Sequence, residues 1–155
     1  MTRIMTFGII AAGLLFVSCD KYEDGRPSGE VRAEFSAMYP DAKDVEWDRE
    51  RTYWSVSFET GSRPNRVEHE AYFDQSGNWI MTKTEILLAA VPQSVKDDLA
   101  ANAEFGSLPF RDNDADKYQL PSGVFYRFDL TKDGREVEVD VNENGAVSLA
   151  RYDLF

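Results

Sequence analysis

One order of apolar patterns occurs twice along this chain, and this repetition constrains the fold more than any other feature. In the first half, helical spacing at Val31, Phe35 and Met38 is followed by runs that alternate apolar and polar residues. In the second half, Val95 and Leu99 repeat the helical spacing, and alternating runs follow again. The pattern predicts an α+β fold of two tandem helix-plus-antiparallel-strand repeats, with the helices packed on one face of an antiparallel sheet.

The boundaries of these elements follow from caps, prolines and turns. Ser28 is suited to cap the first helix, Pro40 ends it, and Pro92 opens the second helix. Repeat one is expected at about 30–88 and repeat two at about 89–155, while residues 106–123 are interpreted as a loop. The expected strands are centred on 45–47, 54–59, 68–73, 79–86, 124–130, 136–141 and 146–152.

The N-terminal residues indicate export and lipidation. Residues 1–18 carry one charge, Arg3, then an apolar run and a small residue, Ser18, directly before Cys19. The uncharged stretch of 15 residues from Ile4 to Ser18 is too short to span a membrane stably. Cys19 is the only cysteine, so lipidation explains a thiol that cannot form an internal disulfide. We expect a signal peptide over 1–18, lipid on Cys19, and a flexible tether over 19–29 before a domain over 30–155.

Charge excludes several classes of partner. Removing residues 1–18 takes away one cation, Arg3, and no acid, so the net charge changes from −11 to −12. Nucleic-acid binding depends on cationic contacts to phosphate, and docking on anionic lipid needs a basic patch. We therefore expect no nucleic-acid partner, and attachment to the membrane through the lipid alone.

The motifs resemble those of the PepSY-like family of exported bacterial proteins, which is similar in fold to the beta-lactamase inhibitor protein. The resemblance covers about residues 28–155 and rests on Tyr39-Pro40 after the first helix and on Phe73-Asp74 through Gly77-Asn78-Trp79. The second half departs from it, with Val141-Asn142 where Phe-Asp would precede the turn glycine. The resemblance implies two helix-plus-four-strand units in one antiparallel sheet and no established enzyme activity.

Catalytic and metal-binding patterns are weak. The single histidine, His69, shares a strand face with Ala71 and Phe73, and it has no second histidine or nucleophile motif beside it. Residues 140–145 fit the start of a calcium loop, but Arg151 occupies the position of the bidentate glutamate. The acidic segment 112–116 has a lysine where the loop glycine belongs. We expect no enzyme activity, no metal and no cofactor.

Acidic side chains mark the candidate binding surface. Period-two alternation places them, with one tyrosine, on the strand faces opposite Ala71, Phe73, Val137, Val139 and Val141. These candidate site residues are Glu68, Glu70, Tyr72, Glu136, Glu138 and Asp140. Two interpretations stay open: a solvated sheet face, and a face for a basic partner or a cationic ligand.

The sequence thus predicts a lipid-anchored, non-catalytic binding protein of the cell envelope, in the periplasm or at the outer membrane. An inhibitor-like module that binds a protein or peptide through the acidic face is favoured. The alternative is an envelope protein that senses a small ligand or a peptide.

Overall fold

The described residues form one sheet of nine strands, in which the neighbours follow the order of the chain. The structure, a computed structural model, describes residues 21–22 and 25–150. The strands are β1 (Lys21–Tyr22), β2 (Lys43–Arg49), β3 (Tyr53–Thr60), β4 (Val67–Asp74), β5 (Trp79–Leu87), β6 (Asp114–Leu120), β7 (Gly123–Lys132), β8 (Arg135–Asn142) and β9 (Val147–Leu149). Helix α1 (Gly29–Met38) precedes β2, and a 3₁₀ turn (Leu88–Ala90) and α2 (Gln93–Ala101) precede β6. The eight strands β2–β9 pair antiparallel, which confirms the predicted α+β class.

Helix α1 packs on the first strands through aromatic side chains. Its start is fixed by Ser28, whose Oγ accepts the backbone N–H of Val31 at 3.3 Å. Phe35 contacts Trp47 and Phe58 edge to face, with ring centroids 5.2 and 5.1 Å apart. Phe73 is fully buried in the same cluster. Burial of each such ring contributes roughly 1.5–3 kcal/mol, so this cluster holds α1 against β2–β4.

Helix α2 forms the second cluster. Val95 and Leu99 are buried there with Phe128 and with the valines of β8. Ile86 in β5 packs against the same cluster, although it precedes α2 in the chain. The two clusters are therefore joined through β5 and β6, which pair in register from Thr82 with Gln119 to Leu87 with Asp114.

The geometry of the turn between β4 and β5 explains why the turn contains Asp74 and Gly77. The Asp74 carboxylate accepts the backbone N–H groups of Ser76 at 2.8 Å and Asn78 at 2.9 Å. Gly77 has φ +94°, and a Cβ there would lie 3.3 Å from the backbone nitrogen of Val31. Glycine is required because the turn both adopts positive φ and packs against the first turn of α1.

Two segments differ from the sequence interpretation. Strand β6 lies inside 106–123, where the sequence predicts a loop. Its buried residues Ala115 and Tyr118 face opposite sides of the sheet, so the segment does not show the alternation of apolar and polar residues that identifies a strand. Strand β1 lies inside the segment expected to be a flexible tether. It pairs parallel to β2, whose outer edge offers free backbone groups that an extended segment of any sequence can bind.

Candidate binding face

All six acidic-face residues predicted from the sequence lie on one side of the sheet, here called the outer face. In the strand register, Glu70 in β4 lies opposite Lys83 in β5, and Lys83 lies opposite Tyr118 in β6. Likewise, Arg127 in β7 lies opposite Asp140 in β8. The outer face is the side opposite the buried residues Ala71, Phe73, Val139 and Val141.

The two predicted rows are not adjacent. Strands β4 and β8 are four strand spacings apart, or roughly 19 Å at about 4.8 Å per spacing. The intervening strands contribute acids that sequence reasoning missed, since Glu85 pairs in register with Asp116, and Asp129 with Glu138. Together they form an acidic band across one end of the strands: Glu59, Glu68, Glu85, Asp114, Asp116, Asp129, Glu136, Glu138 and Asp140. The signal that could have revealed it is the alternation of Asp114 and Asp116 around Ala115.

Four aromatic side chains and one methionine occupy the neighbouring part of the outer face, here called the aromatic patch (Tyr53, Tyr72, Met81, Tyr118 and Phe125). Tyr118 and Phe125 stack with ring centroids 4.7 Å apart and planes 8° from parallel. Tyr53 and Tyr72 lie 5.7 Å apart. Met81 is 3 % exposed and Tyr118 is 6 % exposed, so both side chains are buried within the patch. Tyr53, Tyr72 and Phe125 are half-buried and form its accessible part.

Arg127 connects the patch to the acidic band. Its Nε donates to Asp140 Oδ1 at 2.8 Å, and its Nη2 donates to Asp140 Oδ2 at 3.1 Å. Its guanidinium lies over the Tyr118 ring at 5.1 Å, and only 7 % of the side chain is exposed. The hydrogen bonds to Asp140 raise the pKa of Arg127 despite its burial. Asp140 is thus already neutralised within the fold, so it is a weaker candidate for binding a partner's cation than the sequence indicated.

The other acids of the band differ in their partners. Asp116 accepts Lys83 at 2.8 Å, and Glu59 is paired with Arg66. Glu68 and Glu85 are exposed and have no salt bridge within residues 25–150. Within the described part of the chain, Asp114 and Asp129 of the band also form no salt bridge, but they are half-buried, so Glu68 and Glu85 are the more accessible carboxylates.

A cleft of about 430 Å³ lies over this part of the face. It is lined by Asp44, Glu46, Ser57, Phe58, Glu59, Glu68, His69, Glu70, Lys83 and Glu85. Its carboxylates come from four adjacent strands. They do not meet at one point in this acidic cleft, since the cluster of three carboxylates within the described part of the chain lies elsewhere, at Asp129, Glu136 and Glu138.

Three carboxylates further along the band could hold a metal ion. Oxygens of Asp129, Glu136 and Glu138 lie within 4.8 Å of one another. Burial, and then the neighbouring carboxylates, raise the pKa of Asp129. However, Arg111 binds Glu136 at 2.6 Å and Arg127 approaches Glu138 at 3.4 Å, so two of the three charges are already compensated.

The two weak calcium patterns have structural explanations. Asn142 Oδ1 accepts the backbone N–H groups of Asn144 and Ala146, both at 3.0 Å, which forms the turn between β8 and β9. Asp114 and Asp116 belong to strand β6. Neither segment forms a carboxylate cluster within the described part of the chain.

His69 is bound on both ring nitrogens. Nδ1 shares a hydrogen bond with Thr84 Oγ1 at 2.9 Å, and Nε2 shares one with Thr60 Oγ1 at 2.7 Å. The ring stacks on Phe58 with centroids 4.9 Å apart. Burial, with a smaller effect of Lys117, lowers the pKa of His69 below 6.5. This geometry supports a structural role.

His69 should make stability depend on pH. Because its folded pKa is below the unfolded value of 6.5, the unfolded chain takes up the proton more readily. Its contribution is fully present above pH 6.5 and is lost as the pH falls through the folded pKa. We expect the wild type to lose more stability between pH 7.5 and 5.5 than His69→Gln, measured by urea unfolding. Equal losses in both proteins would contradict the prediction, because they would show that the imidazole has the same pKa in the folded and the unfolded states.

Cys19 lies outside the described residues, so its lipidation stays a prediction. Within the described part of the chain, neither helix has the length and apolarity needed to cross a bilayer.

Solved structures share this fold at low sequence identity. A BLIP-like protein from Bacteroides fragilis NCTC 9343 is 19 % identical with TM-score 0.70, over 84 % of this chain and 92 % of that one. A DUF2874 family protein from Bacteroides ovatus ATCC 8483 is 17 % identical with TM-score 0.66, over 81 % and 89 %. A structure from Bacteroides eggerthii DSM 20697, named "putative periplasmic proteins", is 20 % identical with TM-score 0.64, over 79 % and 86 %.

The family is identified by the sequence itself. No functionally curated protein matches the chain. Residues 52–148, which are more than half of the chain, match the family described as "Putative beta-lactamase-inhibitor-like, PepSY-like". This confirms the resemblance inferred from the turn motifs. The chain belongs to the PepSY-like, beta-lactamase-inhibitor-like family.

Proposed function

We propose that this chain is a non-catalytic binding protein of the cell envelope, anchored through lipid on Cys19, that holds a partner protein against the outer face. The observation that carries the proposal is the contact between the acidic band and the aromatic patch on one continuous surface. Ordered aromatic side chains supply contact area at low entropic cost, and the acids supply charge selectivity. The family description as beta-lactamase-inhibitor-like supports an inhibitor-like role.

The chemistry of the described residues favours binding over catalysis. The one histidine uses both ring nitrogens for threonine hydroxyls. The most buried charged group of the outer face, Arg127, is held by Asp140 in a bidentate pair, which fixes a surface and leaves no free acid or base at that point. A general base or nucleophile needs a partner within hydrogen-bond distance of a substrate atom, and these groups are engaged by the fold.

The partner class follows from the composition of the face. Glu68 and Glu85, which form no salt bridge with another described residue, would select lysine or arginine side chains, and the aromatic patch would select apolar ones. We therefore propose a partner segment that carries basic and apolar residues side by side. The acidic cleft supports the alternative function, which is the binding of a short cationic peptide.

We further propose that the domain is a tandem repeat with both helices on one face. The order of elements supports this, since α1 precedes four strands, β2–β5, and α2 precedes four more, β6–β9. The strand register supports it as well. Ala71 pairs with Thr82 in β5, and Thr82 pairs with Gln119 in β6, so the three side chains belong to the same face of the sheet. Gln119 pairs with Val124, two residues before the buried Tyr126 of the second cluster.

The anchor is tested by changing Cys19. Cys19→Ala removes the thiol that would carry the lipid, so the protein should move from the membrane pellet to the soluble fraction or stay unprocessed. Fractionation and mass spectrometry of the N-terminus measure this. A Cys19→Ala protein that still pellets with membranes and has a normally processed N-terminus would contradict the anchor.

The face is tested by charge reversal. Glu68→Lys with Glu85→Lys places cations at these two accessible acids, so capture of the partner by crosslinking in intact envelopes should be lost. Both residues are exposed, so the unfolding free energy should change by only about 0.5 kcal/mol. Glu34→Lys with Asp97→Lys is the matched control, because it makes the same charge change on exposed positions of α1 and α2.

Salt gives a second measurement on the same interaction. Binding to the wild type should weaken between low and high ionic strength, since exposed charges act over about one Debye length. Capture that survives both the Glu68/Glu85 reversal and high salt would place the partner elsewhere on the molecule.

A further inference from the structure

We infer that strand β1 holds the β2 edge of the sheet at the membrane surface, so that the acidic cleft lies beside the lipid headgroups. The inference rests on the proposed lipidation of Cys19 and goes beyond it. A lipid anchor alone leaves a domain free to move over the length of its tether, whereas a paired strand fixes one edge of the domain next to the anchor.

The first support is the position of β1 in the chain. Lys21 pairs with Glu46, and Tyr22 pairs with Trp47, in a parallel register. Only Asp20 separates Lys21 from Cys19, so their Cα atoms are at most about 8 Å apart at 3.8 Å per residue. A tether free over residues 20–28 would reach several times farther. The pairing of β1 therefore shortens the effective tether to about two residues.

The second support is the direct contact between this strand and the acidic cleft. The Lys21 ammonium forms an ion pair with the Glu46 carboxylate, and Glu46 lines the cleft. Glu46 pairs in register with Ser57, and Ser57 with Glu70, so the cleft begins at the strand beside β1. The cleft lies within four strand spacings of β1, or about 19 Å, whereas β9 lies up to about 38 Å away.

The third support is that the short link between β1 and α1 favours the pairing of β1 with β2 more than the Lys21–Glu46 ion pair does. Both members of the Lys21–Glu46 pair are exposed, with 74 % and 47 % of their side chains accessible, so the pair alone contributes little. However, only residues 23–28 connect β1 to α1, which gives β1 a high effective concentration at the β2 edge. The acid excess of the chain would repel an anionic leaflet, so the lipid and the pairing of β1, and not charge, would hold this edge at the surface.

The position of the cleft beside the membrane limits which partners can reach it. A cleft beside the headgroups is reached most readily by a basic segment that is itself close to the membrane. The interaction surface therefore fits a partner that is also attached to the membrane, and not one that approaches from the far side of the sheet.

The experiment compares how close a fluorophore at each of two positions of the chain lies to the lipid headgroups. The lipidated full-length chain is purified and reconstituted in phosphatidylethanolamine–phosphatidylglycerol vesicles that contain a headgroup spin-labelled lipid as quencher. Cys19 would have no free thiol, so a thiol-reactive fluorophore labels only the introduced cysteine of Asp41→Cys or of Asn144→Cys. Position 41 precedes the end of β2 that is level with residue 19 in the parallel register of β1, and position 144 lies in the β8–β9 turn. Both positions are exposed. We expect a several-fold stronger quenching at position 41 than at position 144.

A tether insertion separates the role of β1 from that of the lipid. Twelve Gly/Ser residues inserted between Asp20 and Lys21 leave β1 intact but lengthen the connection by roughly 19 Å. Quenching at position 41 should then fall to the level of position 144, while the protein still floats with the vesicles. Equal quenching at both positions without the insertion, in protein that floats, would overturn the inference and leave the anchor standing. Protein that does not float would overturn both.

Discussion

A chain that ends at Leu88 is expected to remain unfolded, while residues 26–155 unfold in a single cooperative transition. Ending at Leu88 removes β6 and exposes the whole hydrogen-bonding edge of β5. It also leaves Ile86 without the second cluster against which it packs. A half with one short helix and a few strands buries too little apolar surface to offset its conformational entropy.

Circular dichroism during heating and the dispersion of amide NMR signals measure this. Residues 26–155 serve as the control, because they keep both clusters and the β5–β6 pairing. A cooperative melt and dispersed signals from the shorter chain would contradict the single-sheet account, since they would show that the first half folds independently.

Arg127→Ala is expected to lower the free energy of unfolding by about 3 kcal/mol, because it removes one partner of a largely buried ion pair. Asp140 would keep its charge at 20 % exposure with neither of the two guanidinium hydrogen bonds. The aromatic patch would also lose the guanidinium that lies over Tyr118. Urea denaturation at pH 7 measures the change.

The double variant is the control for this prediction. Arg127→Ala with Asp140→Ala should cost clearly less than the sum of the two single changes, with a coupling free energy of about 1–3 kcal/mol. Lys132→Ala removes the exposed pair with Glu104 and should change stability by less than about 1 kcal/mol. Additive effects at Arg127 and Asp140 would show that the pair contributes little to the order of the outer face.

The sequence predicted best where one face of a strand is buried. In β4 and β8, valine, alanine and phenylalanine alternate with acids, so period two identified both the strands and their faces. Strand β6 escaped detection because it buries Ala115 on one side and Tyr118 on the other, and its neighbours on both sides supply the pairing. That pairing comes from distant parts of the chain, which local spacing does not contain.

The charge state of the outer face was harder to predict than its position. Alternation placed Asp140 among the exposed acids, but only register shows that Arg127 lies directly opposite it. The same register brings Asp116 beside Lys83 and stacks Tyr118 on Phe125. Composition predicts an acidic surface, whereas the cross-strand neighbours determine which acids stay available to a partner.

Site-specific photo-crosslinking in living cells tests the central claim most directly. A photoreactive phenylalanine replaces Phe125 in the aromatic patch or Glu68 in the acidic band, with Ala33 on α1 and Ser94 on α2 as exposed control positions. The account predicts one and the same protein adduct from positions 68 and 125, and none from positions 33 and 94. An adduct from the helix positions, with none from the outer face, would contradict it.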